Sequence, residues 1–268
     1  MPTTACRGEA QQVLSVRLTV CAMDDNRQNE EPRLSGQAPS ISDSPNNSNR
    51  GRTYWEQANA DINGMLGGVP AIGGFSSVSR IDLQGSRTFL ARLGIGVKCG
   101  RKPVINAVDG GAGIGRVTEG LLLRIAEHVD IVEPVSKFTD HLKGTTGVRT
   151  IFNVGLEDWQ PEKGIEYDLI WTQWCLGHLQ DSQLIEYLKL CKTVLRPDSG
   201  VMVIKENLST GSVDMFDDTD GSVTRRDETF RRLFEAAELK LVKTELQRGF
   251  PEIPPRRLLP VRMYALKP

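Results

Sequence analysis

The stretch at residues 104–116, VINAVDGGAGIGR, decides the fold of this chain. Its first five residues are mostly apolar and Pro103 precedes them, which is typical of a short strand buried on both faces of a parallel sheet. After Asp109 come glycines at 110, 111, 113 and 115, which permit a tight turn and the close approach of a ligand to the backbone. Apolar residues at helical spacing follow at 121–126. The stretch therefore predicts a strand, a tight loop and a helix, the opening of an α/β fold.

The spacing of these glycines indicates the kind of cofactor. Gly111, Gly113 and Gly115 alternate with single residues, a tighter pattern than the dinucleotide fingerprint G-x-G-x-x-G, and an acid precedes them. This form favours S-adenosylmethionine (AdoMet) over NAD. A second predicted strand, 129–133, ends in Glu133 about 20 residues after the loop, where a carboxylate can hold both ribose hydroxyls. Taken separately, the glycine loop could be a plain βα turn and Glu133 a solvated strand end. Together, the two features support one another.

The composition argues for one catalytic domain and against several classes of partner. The 268 residues are 39% hydrophobic and 25% charged, enough for one substantial core with a tail left over. A net charge of −1 gives no general basic field for nucleic acid. Five cysteines without a C-x-x-C pair and three histidines indicate neither a disulfide framework nor a metal site, and no apolar run could span a bilayer. We expect a soluble monomer in the cytoplasm, with the nucleus as a second location.

The chain divides into a tail and one domain. Residues 1–52 are rich in Ser, Asn, Gln, Pro and charge, which predicts a disordered polar tail, and residues 53–268 form the domain. Its N-terminal extension, 53–94, holds two predicted helices and a glycine hinge at 64–68 that suggests a lid. The predicted helices are 53–66, 81–93, 121–126, 136–142, 181–193 and 224–237, and the predicted strands are 104–109, 129–133, 148–154, 167–171, 201–205, 239–247 and 261–266. A Rossmann-like sheet of seven strands with an antiparallel end and helices on both faces is the class I AdoMet-dependent methyltransferase plan.

Polar and aromatic side chains follow the predicted strands at the edge where ligands bind in open α/β sheets. The fourth strand delivers Gln173, Trp174 and His178 to that edge. Leu156 follows the third strand, where an adenine would be received. The acidic loop 209–221 leaves a central strand and would hang over the ligand crevice, although such a loop is also common as a solvated connection.

From about Tyr54 to the C-terminus the chain resembles the protein N-terminal methyltransferases that modify the α-amine of Xaa-Pro-Lys starts, the fungal members especially. The motifs that carry the resemblance are YW at 54–55, GMLGG at 64–68, GAGIGR at 111–116, IWTQWCLGHL at 170–179, KEN at 205–207, DDTDGSVTR at 217–225 and PVRMYAL at 260–266. The chain departs from its relatives at Val69, where an aromatic residue is common, and at Leu258 and Leu259 in one wall of the peptide groove.

The resemblance implies roles for particular residues. It implies AdoMet contacts by Gly111, Gly113, Arg116, Glu133, Leu156, Glu157 and Gln173, with Arg116 pairing with the methionine carboxylate. It implies substrate contacts by Tyr54, Leu66, Gly67, Trp174, Asn207, Asp217, Asp220 and Ser222. Asp220 and His178, with Asn207, are the candidate catalytic residues, and the sequence does not decide which of the first two is the base.

The function that the resemblance implies is the mono- to trimethylation of protein N-termini beginning Xaa-Pro-Lys, with ribosomal proteins as expected partners. Two alternatives stay open. One is a methyltransferase for another amine, a lysine side chain or a small molecule. The other is an inactive adaptor with the methyltransferase fold, against which Asn207, Asp220 and His178 argue because all three candidate residues are present.

Overall fold

A computed structural model describes Val20–Ala22 and residues 47–268, the side chains of 20–22 and 47–49 excepted. The predicted disorder of residues 1–19 and 23–46 concerns positions outside the described residues. Helix α1 begins at Asn47, inside the predicted tail, and Gly51 of this helix lies close to the His178 side chain. Strand β1, Val20–Ala22, pairs antiparallel with a strand at Arg256–Leu258. Polar composition could not reveal these contacts, since they depend on partners distant in the sequence.

The main sheet has seven strands in the order β4-β3-β2-β5-β6-β11-β9. The strands of the chain are β1 (Val20–Ala22), β2 (Val104–Gly110), β3 (Ala126–Val132), β4 (Val148–Phe152), β5 (Leu169–Gln173), β6 (Val201–Asn207), β7 (Met215–Phe216), β8 (Val223–Thr224), β9 (Lys240–Leu246), β10 (Arg256–Leu258) and β11 (Val261–Lys267). Strands β2 to β6 pair parallel, and β11 lies antiparallel to both β6 and β9. The predicted class I methyltransferase fold is therefore confirmed.

Helices cover both faces of this sheet. They are α1 (Asn47–Gln57), α2 (Ile62–Met65), α3 (Val78–Arg92), α4 (Arg116–Gly120), α5 (Ser136–Thr139), α6 (Asp181–Val194) and α7 (Asp227–Ala236), with 3₁₀ turns at Val69–Ala71, Leu122–Arg124, Asp140–Leu142, Leu156–Asp158 and Leu176–His178. Alternate strand residues feed two cores. Ile170 packs with α6 and α7 on one face, while its neighbour Trp171 packs with Phe89 of α3 on the other. Burial on both faces explains the nearly continuous apolar sequence of the central strands.

Several predicted helices have different bounds in the structure, and three of them show why. The helix predicted at 121–126 is wrong, because α4 covers Arg116–Gly120, a 3₁₀ turn follows at Leu122–Arg124 and β3 already begins at Ala126. A Cβ at Gly120 would lie 2.6 Å from the Leu83 side chain, so α3 crosses closely at this point. The predicted helix at 53–66 is two helices, since the side chain of Asp61 caps α2 anew. The third, α3, begins at Val78 and lies on the face of the sheet.

The acidic loop after β6 is more ordered than a solvated connection. Its strands β7 and β8 pair as a short antiparallel ladder, with Phe216 opposite Val223. The tight turn between them carries Asp217, Asp220 and Ser222. None of the helices in the described part of the chain is long and apolar enough to cross a bilayer.

Candidate active site

A cavity of about 210 Å³ opens at the carboxyl ends of the parallel strands. Its lining includes Gly111 and Gly113 after β2, Glu133 after β3, and Leu156 and Glu157 after β4. It also includes the predicted catalytic candidate His178, together with residues that were not predicted to line a site, among them Gly51, Arg52, Trp55, Met65, Phe138 and Cys175. Two cavities of about 710 and 640 Å³ lie beside β9 and beside the segment before β11, away from the glycine loop. The smaller cavity is the candidate cofactor site, because it gathers five of the seven predicted cofactor residues.

The glycine loop has the backbone that a closely approaching ligand requires. Gly111 and Gly113 have φ values of 69° and 56°, in the left-handed region. A Cβ on Gly111 would lie 2.5 Å from Cys175, so only glycine fits there. The Gly113 N–H donates to Oε2 of Glu133 at 2.7 Å, and the Val135 N–H donates to Oε1 at 3.0 Å. Two backbone donors therefore orient the Glu133 carboxylate at the cavity wall, as a site for ribose hydroxyls requires.

Asp109 stands at the base of this loop and is almost fully buried. Burial raises the pKa of its carboxyl to about 6, although a hydrogen bond from the Thr118 hydroxyl and the charge of Arg116 act in the opposite direction. Ionising this carboxyl group therefore costs free energy unless a cation lies nearby.

Arg116 and Gln173 lie away from the lining of the cavity. Arg116 donates to Oδ2 of Asp82 at 2.7 Å, and the Gln173 amide donates to both oxygens of Asp82 at 3.0 Å. Lys205 lies 2.5 Å from the same carboxylate, so two cations surround one anion in the protein interior. An anionic group such as the carboxylate of AdoMet would balance the remaining charge, which fits the predicted role of Arg116.

Three of the candidate substrate residues, Trp174, Asn207 and Ser222, lie beside His178. A second, small cavity is lined by Trp174, His178, Asn207 and Ser222, so His178 borders both cavities. Its Nε2 is 3.7 Å from Oδ2 of the buried Asp220 and accepts a hydrogen bond from Trp55 Nε1 at 3.0 Å. The structure thus brings the two candidate bases together at the junction of the cavities.

The turn between β7 and β8 fixes its acidic residues through the backbone. Oδ1 of Asp220 accepts the Ser222 N–H at 3.0 Å, and Oδ1 of Asp217 accepts the Thr219 N–H at 2.8 Å. Asp220 is buried and Asp217 is half-buried. Asp217 thus stands nearer the solvent than Asp220, as a residue that meets a later position of a peptide would.

The predicted lid contacts are partly different from expectation. Leu66 is fully buried and packs with Trp174 and Val261, so it stabilises the lid rather than lining either cavity. Gly67 follows it with a φ of 60°. Tyr54 packs edge-to-face on Trp55 with ring centroids 5.0 Å apart, and it too lies outside the lining of both cavities. The family resemblance identified these positions, but it does not show the direction in which each side chain points.

Sequence reasoning missed Asp82, Gly51 and the hydrogen bond of Trp55. The sequence gives Asp82 no predicted role in the site, whereas its carboxylate contacts Lys205 and Arg116 from distant segments. Gly51 was assigned to the tail. Two features of the sequence could have indicated these contacts. Asp82 is a charged residue on the apolar face of a predicted helix, and Trp55 belongs to an aromatic pair near a glycine hinge.

Comparisons with known proteins agree with this geometry. A family model described as "AdoMet dependent proline di-methyltransferase" matches residues 43–267. The chain is 46% identical over 217 residues to "Alpha N-terminal protein methyltransferase 1" of Schizosaccharomyces pombe, covering 80% of this chain and 93% of that relative. It is 40% identical over 214 residues to "N-terminal Xaa-Pro-Lys N-methyltransferase 1" of Mus musculus, covering 76% and 89%. The structure of a SAM-dependent methyltransferase from Leishmania major superposes with a TM-score of 0.71 at 30% identity, over 86% of this chain and 87% of that one.

Proposed function

Because the chain belongs to the family of AdoMet-dependent proline dimethyltransferases, we propose that it methylates the α-amino group of protein N-termini beginning Xaa-Pro-Lys. The observation that carries this proposal is the position of His178, which borders both the glycine-loop cavity and the small cavity beside Asn207 and Ser222. A substrate amine placed between the cavities would face His178 and Asp220.

Bound AdoMet supplies an activated methyl group on a sulfonium sulfur. On the protein side, Glu133 is placed to accept hydrogen bonds from the ribose hydroxyls, and Leu156 and Glu157 to border the adenine. Arg116, with Gln173 beside it, is assigned the methionine carboxylate. These roles are supported by the oriented Glu133 carboxylate and by the excess positive charge around Asp82.

The chain must hold the amine in line and remove its proton. An α-amino group has a reference pKa near 8 against about 10.4 for lysine, so deprotonation at pH 7 costs about 1.4 kcal/mol per pH unit and is far easier for the α-amine. Asp220 is suited to hold the ammonium and accept its proton, because a buried carboxylate gains from a cationic partner. Correct positioning is the larger contribution, worth several kcal/mol in well-oriented reactions.

The proline and lysine of the substrate peptide would be recognised by residues at the end of β5 and in the turn between β7 and β8. Trp174 is held at a φ of 55° and presents an apolar wall for the proline ring, with Asn207 placed to bond the peptide backbone. Asp217, with Ser222 beside it, is assigned the lysine ammonium.

Mass spectrometry of short peptides tests this function. A Ser-Pro-Lys peptide incubated with enzyme and AdoMet should gain up to three methyl increments on the terminal nitrogen, and a Pro-Pro-Lys peptide should gain two. The same peptides with an acetylated N-terminus are the matched control and should gain none. Increments on the lysine side chain, or equal labelling of the acetylated control, would contradict the proposal and favour a different amine substrate.

We make three proposals about the partners, the oligomeric state and the location of the protein. Ribosomal proteins with exposed Xaa-Pro-Lys starts are the proposed partners, the enzyme acts as a monomer, and it works in the cytoplasm and the nucleus. Light scattering of purified protein and microscopy of a C-terminally tagged chain test the last two.

A further inference from the structure

Helix α1 packs directly on both nitrogens of the His178 imidazole. Trp55 donates from Nε1 to Nε2 at 3.0 Å. On the other side of the ring, a Cβ on Gly51 would lie 2.8 Å from Nδ1 and 3.2 Å from the Asp220 carbonyl oxygen, so the helix can approach this closely only with glycine there. The Trp55 indole is itself buried against Met65, Val135 and Phe138, which fixes the direction of its N–H.

This contact determines where the proton of a neutral His178 lies. An indole nitrogen is a donor with no acceptor capacity, so Nε2 must supply a lone pair to the bond. A neutral imidazole carries one N–H, and it therefore lies on Nδ1. While the Trp55 bond exists, Nε2 cannot also take a proton from a substrate amine.

We propose that Trp55 is a positioning residue that holds His178 neutral with its proton on Nδ1, so that helix α1 and a proton compete for Nε2. The proposal deepens the proposed function and rests on it in one respect, that His178 and Asp220 meet the substrate amine. It assigns proton acceptance to Asp220 for as long as α1 is docked. His178 then does not serve as the base.

A proton on Nε2 changes both partners of the imidazole. The Nε2–H and the Trp55 N–H would point at each other, so the indole bond is lost. The new Nε2–H faces Oδ2 of Asp220, 3.7 Å away, and the resulting ion pair occupies the carboxylate that should accept the amine proton. By disfavouring this state, Trp55 keeps Asp220 available to a lower pH.

Other charged groups near the imidazole belong to several elements. Arg52, Glu133, Glu157 and Asp158 border the same cavity. Glu206 accepts the N–H groups of Cys175 and Leu176, and Arg225 donates to the carbonyls of Leu176 and Leu179, so these two hold the turn that carries His178. Among the contacts described, the hydrogen bond of Trp55 goes to Nε2 alone, and it therefore distinguishes Nε2 from Nδ1.

The test is ¹⁵N NMR of protein labelled at histidine, which needs no substrate. The chain has three histidines, and the His178 signals are assigned by their loss in a His178→Gln variant. The wild type at neutral pH should show the proton on Nδ1. In Trp55→Phe, which keeps an aromatic ring and removes the donor, this preference should disappear and His178 should titrate at higher pH. Tyr264→Phe is the matched control, because it removes a buried aromatic donor to Asp227 outside the site and should leave the His178 signals unchanged.

Activity provides a second readout. The acid limb of the kcat/KM profile should move to higher pH in Trp55→Phe, with a loss of about 2–10-fold at its acid end, the range expected for one hydrogen bond. A wild-type spectrum with the proton on Nε2 would overturn the proposal even if the variant failed to fold, and so would a Trp55→Phe variant with unchanged spectra and profile. Failure of the proposed function alone would appear differently, as the expected tautomer in an enzyme that does not methylate Xaa-Pro-Lys peptides.

Discussion

Arg116 donates a hydrogen bond to Asp82 at 2.7 Å, and both side chains lie inside the protein, the carboxylate 0% and the guanidinium 8% exposed. Lys205 of β6 is a second cation on the same carboxylate. Burial alone would raise the pKa of Asp82, but Lys205 and Arg116 hold it below its usual value. This contact ties α3 to both the end of the glycine loop and the centre of the sheet.

Asp82→Asn should destabilise the protein by about 3–5 kcal/mol at pH 7, because it leaves two buried cations without their anion. The stability from a carboxyl with a lowered pKa is present above its unfolded value near 4 and is lost as the pH falls further. Urea unfolding measures the change. The control is Asp140→Asn, which breaks a pair with Lys143 at 61% exposure and should cost less than about 1 kcal/mol. Equal losses in the two variants would contradict the role given to the cluster.

Glu133→Gln should weaken AdoMet binding by about 10–100-fold, because hydrogen bonds to a charged acceptor contribute about 1.5–3 kcal/mol. The amide keeps one acceptor for the backbone donors of Gly113 and Val135, so the fold should persist. Calorimetric titration with AdoMet gives the Kd. Glu127→Gln removes the same charge from an exposed position of β3, the strand that Glu133 follows, and should leave the Kd unchanged. An unaltered Kd in Glu133→Gln would withdraw the ribose assignment.

Because the carboxyl of Asp109 is buried, the free energy of unfolding should decrease as the pH rises. Its pKa is raised to about 6, so the folded state binds the proton more tightly than the unfolded chain does between pH 4 and 6. Ionising the buried carboxylate therefore costs up to roughly 3 kcal/mol over this window. Asp109→Asn should remove that dependence, and unfolding of the cofactor-free enzyme at pH 4.5 and pH 7.5 compares the two proteins. A parallel change in both would show that other groups cause it.

The strands could be predicted from sequence because each central strand is buried on both faces and so has a nearly unbroken apolar run. The position of helix α4 could not be predicted in this way. The leucines at 121–123 lie after the end of α4 and in a 3₁₀ turn, where apolar residues at helical spacing do not indicate an α-helix. Glycine spacing and the strand-end acid located Gly111 and Glu133 correctly at the cavity. The environment of Arg116 was out of reach, because it depends on Asp82, more than thirty residues earlier in the chain.

The lysine at the third position of a substrate peptide should be bound by Asp217. Replacing that lysine with glutamine should reduce kcat/KM more in the wild type than in Asp217→Asn, which retains an acceptor for the Thr219 N–H. A double-mutant cycle gives the coupling energy, expected at about 0.5–3 kcal/mol for residues in contact. Asp218→Asn is the control, since its side chain is 92% exposed and points to Arg50. Additive effects of the peptide change and Asp217→Asn would leave the turn without a role in lysine recognition.

The most direct test of the account is the single-turnover rate of Asp220→Asn on a Ser-Pro-Lys peptide at saturating AdoMet. If Asp220 accepts the proton of the α-amine, this rate should fall by about 100-fold or more, the range expected for loss of a general base. The Kd for AdoMet should stay unchanged, because Asp220 lies outside the lining of the cofactor cavity. A rate equal to that of the wild type would contradict the central claim that the amine is bound and deprotonated at Asp220.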